Sequence, residues 1–400
     1  MILHAPVQLQ IGEEVQLSVQ VELASKKKRD LPRELWFRFP IRFQSQLSLE
    51  LDPFVVALVL LAMKNREPIL LQGSISEKLY HGLEEYQQIY HSWYPEIFHR
   101  IEIQPLSLRN DTENKYGAFR GQEGRGFPRL DDAGASACAF SGGVDSFYTL
   151  LSLMNPNRKT LPPFRYALFM AGFDMPLHLT QSIAELTRSY AVMMKGLGVE
   201  FVVGSTNIRK FVNTVAWTNA HGQALAAAAL FFKDSWENFY IPSSYASGSH
   251  PKWGTHPSLD PLLSTESLKF IHHGIEANRV NKLSLISTYS ETYDRLRVCW
   301  IQDLGLKNCG ECEKCIRTMI ALALQDKLFH YTTFEGEALN FRKIRNLKMR
   351  THQARIFAQE LIIEAAKRFK LGICLNLGFA LLRRAVFHKK VKWRKRLAAK

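Results

Sequence analysis

Residues 137–151 read "ACAFSGGVDSFYTLL". A short apolar run ends at Ser141, two glycines turn the chain, and an apolar helical run follows Asp145 and Ser146. The pattern predicts a buried strand, a tight turn and a helix. In an open parallel sheet, such a turn lies beyond the carboxyl end of its strand, where ligands bind. A helix N-terminus presents free amides and a partial positive charge, which suits phosphate. Gly142 and Gly143 let the backbone turn sharply and approach an anion without a Cβ in the way. Ser141 and Ser146 add hydroxyl donors. Asp145 would repel phosphate unless it holds Mg²⁺ that also binds the phosphates, or caps the helix. No Gly-Lys-Ser/Thr follows, so this is not a Walker loop, and it lacks the spacing of the dinucleotide-binding glycines. A plain capped turn remains the alternative on the motif alone.

Working outward, strand and helix patterns alternate. "RYALFMAGF" and "VEFVVGS" read as buried strands on either side of the helix "LHLTQSIAELTRSYAVMMKGLG". The helix "HGQALAAAALFFKD" then precedes the strand "NFYIPSSY", and "KLSLIST" reads as a further strand. Alternation of this length predicts an α/β fold with a doubly wound parallel sheet over residues 136–330. Residues 1–106 read as a smaller N-terminal α/β domain. In it Val7 to Leu23 and "ELWFRFPIRF" are strands, "PFVVALVLLAM" is a buried helix, and "PILLQG" and "RIEIQPL" are short strands. A capping box at Ser74 and Glu77 opens a helix whose apolar face is Leu79, Leu83, Tyr86, Tyr90 and Trp93. Residues 107–135 are polar and glycine-rich and read as a linker, and residues 331–400 as a basic helical tail.

Of the 52 Lys+Arg and 37 Asp+Glu, 18 and 2 fall in residues 341–400. The net charge of +15 is therefore a property of the tail, and the body is close to neutral. Such a tail suits RNA phosphates, acidic lipid or an acidic partner; the expectation is nucleic acid or an acidic partner. The opening residues lack the basic start and apolar block of a signal peptide, and the longest apolar run, 53–63, is too short to span a bilayer. A cytoplasmic protein without a transmembrane segment is expected. The oligomeric state is left open.

Four of the six cysteines crowd into "RVCWIQDLGLKNCGECEKCIRTM". Cys299, Cys309, Cys312 and Cys315 have the spacing of a tetrahedral Zn²⁺ site, with Gly310 relaxing the turn. Lys307, Lys314 and Arg317 would offset the charge of four thiolates on zinc. Three cysteines at two-residue gaps with a remote fourth also suit an iron–sulfur cluster, so both metals stay in play.

"SGGVDS" resembles the pyrophosphate loop of the ATP pyrophosphatases of adenine-nucleotide α-hydrolase-like fold. That superfamily includes the argininosuccinate, GMP and NAD synthetases and several tRNA-modifying enzymes. The resemblance implies ATP bound through Ser141, Gly142, Gly143, Asp145 and Ser146, with Mg²⁺ and cleavage between the α and β phosphates. Asp145 and Ser146 are the candidate catalytic residues. Adding the late cysteine cluster, residues 137–323 are similar to the cyano-deazaguanine synthases, which adenylate a deazaguanine carboxylate, use ammonia and carry structural zinc. The implied activity is ATP-dependent adenylation of a carboxylate, on a small molecule or a macromolecule, for C–N bond formation with ammonia or an amine. Two other classes stay open: a tRNA- or nucleobase-modifying, thiolation-type enzyme, and a non-catalytic nucleotide sensor. Residues 1–106 and the tail lie outside the resemblance.

Between the motifs, "GSHPKWGTHPSLDPLL" follows a strand and is polar and punctuated by Pro and Gly. His250, His256 and Asp260 are its candidates for acceptor binding or proton transfer. His272 and His273 sit in a helix-like stretch and read as structural.

Overall fold

The computed structural model describes residues 1–23, 31–110, 134–155, 162–248, 250–334, 336, 339–349 and 352–383. The first region supplies strands β1 (Ile2–Leu3), β2 (Val7–Ile11), β3 (Glu14–Glu22) and β4 (Glu34–Pro40) and helix α1 (Asp52–Asn65). β5 (Ile69–Leu71), β6 (Ser74–Ser76), α2 (Glu77–Trp93), β7 (Ile103–Gln104) and β8 (Ser107–Arg109) follow. The second region begins with β9 (Ala135–Ala139) and α3 (Val144–Leu153), then β10 (Phe164–Ala171), α4 (Thr180–Gly196) and β11 (Glu200–Thr206). Next come α5 (Ile208–Val212), α6 (Trp217–Leu230), β12 (Trp236–Pro242) and β13 (Lys269–His273). The chain then turns helical through α7 (Arg279–Ile286), α8 (Glu313–Ala323), α9 (Phe341–Arg345), α10 (His352–Lys367) and a last helix at 371–383, α11.

The fold is α/β, with a mostly parallel central sheet between helices. The sheet runs β13-β12-β9-β10-β11-β4-β3-β1-β5-β7, with β2 on β3. β13, β12, β9, β10 and β11 are parallel, and Ala137 of β9 stands opposite Tyr166 of β10 and Phe239 of β12. From β9 the chain winds to β10 and β11 on one side, then returns to place β12 and β13 on the other. Right-handed crossovers put the helices of these two excursions on opposite faces. Accordingly α3 and α4 share one core with α7 and α8, while α6 shares the other with α1. The strand order reverses between β9 and β12, which makes their carboxyl ends the switch point of the sheet.

β1 to β5 and β7 extend the same sheet, while β6 pairs with β8 in a separate two-stranded one. β4 pairs antiparallel with β11, setting Arg38 opposite Ser205 and Phe37 opposite Thr206. α1 is apolar all round and buried all round, as such a helix must be. It lies against α6, where Ala224 and Ala226 to Ala229 permit close approach and the Gln223 side chain donates to the Ala57 carbonyl at 2.9 Å.

Three local readings need correction. "KLSLIST" is not a strand: Val280, Leu283 and Ile286 are buried at helical spacing, and the Asn278 side chain caps α7 by accepting from the Asn281 amide. His272 and His273 are not helical; they end strand β13, which pairs with β12. The cap of α2 is Ser76, whose hydroxyl accepts from the Leu79 amide, and Ser74 lies in β6, paired to β8. Ser107–Arg109 of the expected linker is therefore a strand, and residues 111–133 lie outside the described residues. Among the described residues, no helix is long and apolar enough to cross a membrane.

Candidate functional site

The loop at residues 141–146 leaves the carboxyl end of β9 at the switch point and opens α3. Gly142 sits at φ +74°, and a Cβ there would lie 1.8 Å from the Tyr190 hydroxyl. Only glycine fits that position, because both the dihedral and the space exclude a side chain. Gly143 is the N-cap and offers no side chain, so no side chain caps the first turn. The Ser146 hydroxyl accepts from the Ser141 amide at 3.2 Å, donates to the Gly143 carbonyl at 3.1 Å and lies 3.3 Å from the Ser141 hydroxyl. The two serines thus brace the loop from inside. Ser141 is exposed and Ser146 buried.

Asp145 does not cap the helix. Its carboxylate accepts from Lys282 at 3.3 Å, from Arg279 at 3.5 Å and from the Ser244 hydroxyl at 3.2 Å. Ser244 follows β12, so the loops after β9 and β12 meet across the switch point. Burial pushes the Asp145 carboxyl up, but Lys282 and Arg279 beside it outweigh burial and hold it below its ordinary value. The Lys282 side chain is 1 % exposed, and its ammonium also donates to the Ser243 carbonyl. Arg317 joins from α8, paired with Glu313 at 3.1 Å, its guanidinium 4.1 Å over the Phe357 ring. Burial pulls Arg317 down to about 10, with Arg279 adding to the fall. The Nε atoms of Arg279 and Arg317 and Oε2 of Glu360 are buried without a hydrogen-bond partner among the described residues. Arg279, Arg317, Phe357 and Glu360 come together here between α7, α8 and α10. Three carboxylates, Asp145, Glu313 and Glu360, thus stand among Lys282, Arg279 and Arg317 beside an uncapped helix N-terminus. An open helix N-terminus of this kind suits an anion.

The second candidate group also comes together, with an addition. Asp260 is fully buried; its Oδ1 accepts from the His256 amide at 3.2 Å and its Oδ2 lies 2.6 Å from His272 Nδ1. The His250 ring lies 5.6 Å from His256 and 5.7 Å from His272. The Nε2 atoms of His250 and His272 are buried with no hydrogen-bond partner among the described residues. Burial pulls His256 down to about 4 and lowers His250, which also feels the charges of His272 and Lys282. His250 and His256 are therefore neutral near pH 7, and the group stands at the same end of the sheet as the loop. His272 projects from β13 to the Asp260 side, whereas His273 turns to Thr149 of α3, 3.1 Å away.

The four cysteines of the late cluster converge. Their sulfurs all lie within 4.8 Å of one another, with Cys309 to Cys315 at 3.8 Å and Cys312 to Cys315 at 3.4 Å. A tetrahedral ion with metal–sulfur bonds of about 2.3 Å sets its sulfurs about 3.8 Å apart, so the cluster is of a size to bind one metal ion. The Cys312 amide donates to Cys309 Sγ and the Ile301 amide to Cys299 Sγ, each at 3.3 Å, and Gly310 takes φ +64°. Asn308 clamps the two halves: its Oδ1 accepts from the Val298 and Cys299 amides, and its Nδ2 donates to the Leu296 carbonyl. Of the basic residues expected to offset thiolate charge, Lys314 stands over the Trp300 ring at 3.6 Å, while Arg317 turns to Glu313 and Phe357 instead. The cysteine module also touches the loop, because the Arg297 amide donates to the Gly142 carbonyl at 2.9 Å.

Sequence reasoning missed Arg279, Lys282, Ser244 and His272. The first two fell in or beside a stretch read as a strand. The Asn278 cap with Val280, Leu283 and Ile286 behind it was the signal that could have found them. In comparison with known proteins the chain matches no family model, no curated protein and no solved structure, so the geometry of these three clusters carries the functional reading.

Proposed function

We propose that the loop at 141–146 binds ATP, and that the protein is an adenylating enzyme which splits ATP between the α and β phosphates. The resemblance to the pyrophosphate-loop enzymes, and to the cyano-deazaguanine synthases over residues 137–323, gives this reading its chemistry. The observation that carries it is the uncapped N-terminus of α3 at the switch point, faced by Lys282, Arg279 and Arg317. Ser141, Ser146 and the loop amides hold the phosphates, and Gly142 and Gly143 let them approach the backbone. The acceptor carboxylate oxygen attacks the α phosphorus as the bond to the β phosphate breaks. Pyrophosphate leaves with the electron pair, its charge met by Lys282, Arg279 and Arg317. Ammonia or an amine then attacks the acyl carbon and AMP departs. His272, held against Asp260, takes the proton the nitrogen gives up, with His250 and His256 lining the acceptor side.

Mg²⁺ would be held chiefly by the phosphates it arrives with, because the loop offers it no open carboxylate. Asp145 is a single carboxylate, its oxygens already engaged by Lys282 and Arg279, and Mg²⁺ is commonly held by one or two carboxylates plus substrate phosphates. When bound, it neutralises phosphate charge. The cysteine cluster is read as a structural Zn²⁺ site, because four thiolates leave no open position. Sulfurs this close together suit one ion better than a cluster of four irons with a thiolate on each. A thiolation-type chemistry gains no support from Cys138, whose thiol burial pushes far up in the middle of β9.

The test uses α-labelled ATP with candidate carboxylates and ammonia. Label in AMP with equimolar pyrophosphate is expected. ADP and phosphate formed through this same loop would overturn the class of reaction, and tight ATP binding without turnover would leave a sensor.

A further inference from the structure

α11 has two unlike faces. Leu377 and Ala380 are buried, and the helix is pinned to the body where Arg345 Nε donates to Asn376 Oδ1 at 2.9 Å and Arg383 to Asn346 Oδ1 at 2.8 Å. Leu371, Leu375, Phe379 and Leu382 are 66, 64, 56 and 65 % exposed. Their spacing of four, four and three residues puts them on one stripe. Phe369, 87 % exposed, precedes the helix in the turn after α10. A contiguous apolar stripe on a helix whose other face is docked marks an interaction surface.

The charge around the stripe decides what covers it. Residues 365–400 carry twelve Lys+Arg and no Asp or Glu, with Phe387 and Trp393 set among the basic residues after α11. An apolar helical face beside a dense cationic, aromatic-punctuated segment matches an anionic bilayer surface: leucine and phenylalanine enter the acyl boundary while lysine and arginine meet the headgroups. Nucleic acid would use the charge and leave four large apolar side chains in water. A second copy would set two such cationic segments against each other. We infer that the exposed face of α11 is a peripheral docking surface for membranes rich in anionic lipid. The inference is independent of the reaction at the loop.

The test is flotation of the full-length protein with vesicles of phosphatidylcholine alone, or with roughly a third phosphatidylserine. The protein should float with the anionic vesicles only, and less in high salt. A double variant, Leu375→Gln with Leu382→Gln, changes only exposed side chains on the stripe and keeps every charge. It should weaken vesicle binding about tenfold or more and leave heparin retention and the circular dichroism spectrum unchanged. Absence of flotation, or flotation untouched by the double variant, overturns the inference. RNA binding without vesicle binding would assign the surface to nucleic acid, and a dimer in sedimentation split by the double variant would assign it to a second copy.

Discussion

Asp145 is the residue on which the loop site turns. In the sequence it looked like a metal ligand or a cap; in the fold it is the counter-charge to two buried cations. Removing that charge leaves Lys282, which is 1 % exposed, without its carboxylate partner. Breaking such a pair typically costs about 3–5 kcal/mol, and the partial exposure of Asp145 argues for the lower end. We expect Asp145→Asn to lose about 3 kcal/mol of stability at pH 7 and to abolish AMP formation. The pH dependence has a definite sign. A carboxyl held below its ordinary value stabilises the folded state above about pH 4 and loses that contribution as pH falls through the folded value. The wild-type advantage over Asp145→Asn in urea unfolding should therefore shrink below about pH 4. An advantage that grew in acid would show that the carboxylate is not held down by its cations.

The cysteine module shows what an element conceals from its own sequence. Its ligand spacing was legible because Cys-x2-Cys turns are local, and the four sulfurs do converge. Its reach to the loop at 141–146 was not legible, since the Arg297 amide meets the Gly142 carbonyl across more than 150 residues of chain. α7 was misread for a related reason: "KLSLIST" alternates like a strand when its cap, Asn278, is left out of view. The tie at Arg297 makes the module more than a staple. Cys312→Ser should lose the zinc, lower the melting temperature and weaken nucleotide binding several-fold, although no cysteine touches the loop. Elemental analysis, a thermal melt and titration with a fluorescent ATP analogue measure the three effects. A variant that lost zinc and melted lower but bound nucleotide as well as wild type would show that the tie does not matter. Iron in place of zinc in the purified protein would change the identity of the site.

At the scale of the molecule, the strand–helix rhythm after Ala137 announced the parallel half of the sheet, and Phe164–Ala171 and Glu200–Thr206 lie where their apolar runs placed them. Which strands are neighbours had no such signal. The pairing of β12 with β9, which creates the switch point, and of β4 with β11 are contacts between distant segments, fixed by packing on both faces. The N-terminal strands were legible as strands, and their place beside β11 was not. That place has a consequence for stability. Taking away residues 1–104 would bare the outer edge of β11, a row of unpaired amides and carbonyls open to pairing with other chains. It would also uncover the α6 face on which α1 lies, where Gln223 donates to Ala57. Trp217 to Leu230 carries Ala220, Ala224 and Ala226 to Ala229, all fully buried, so little polar surface on this side could face water instead. A chain beginning near residue 130 should therefore be recovered in aggregates, even though it keeps the loop at 141–146 and all four clustered cysteines. Adding back residues 1–110 as a separate polypeptide during refolding should restore a soluble complex that retains the metal. Expression of the truncated chain, followed by size-exclusion chromatography and a thermal melt, decides the matter. A monodisperse truncated protein with a cooperative melt and wild-type nucleotide affinity would show that the parallel half folds and binds without its N-terminal partner.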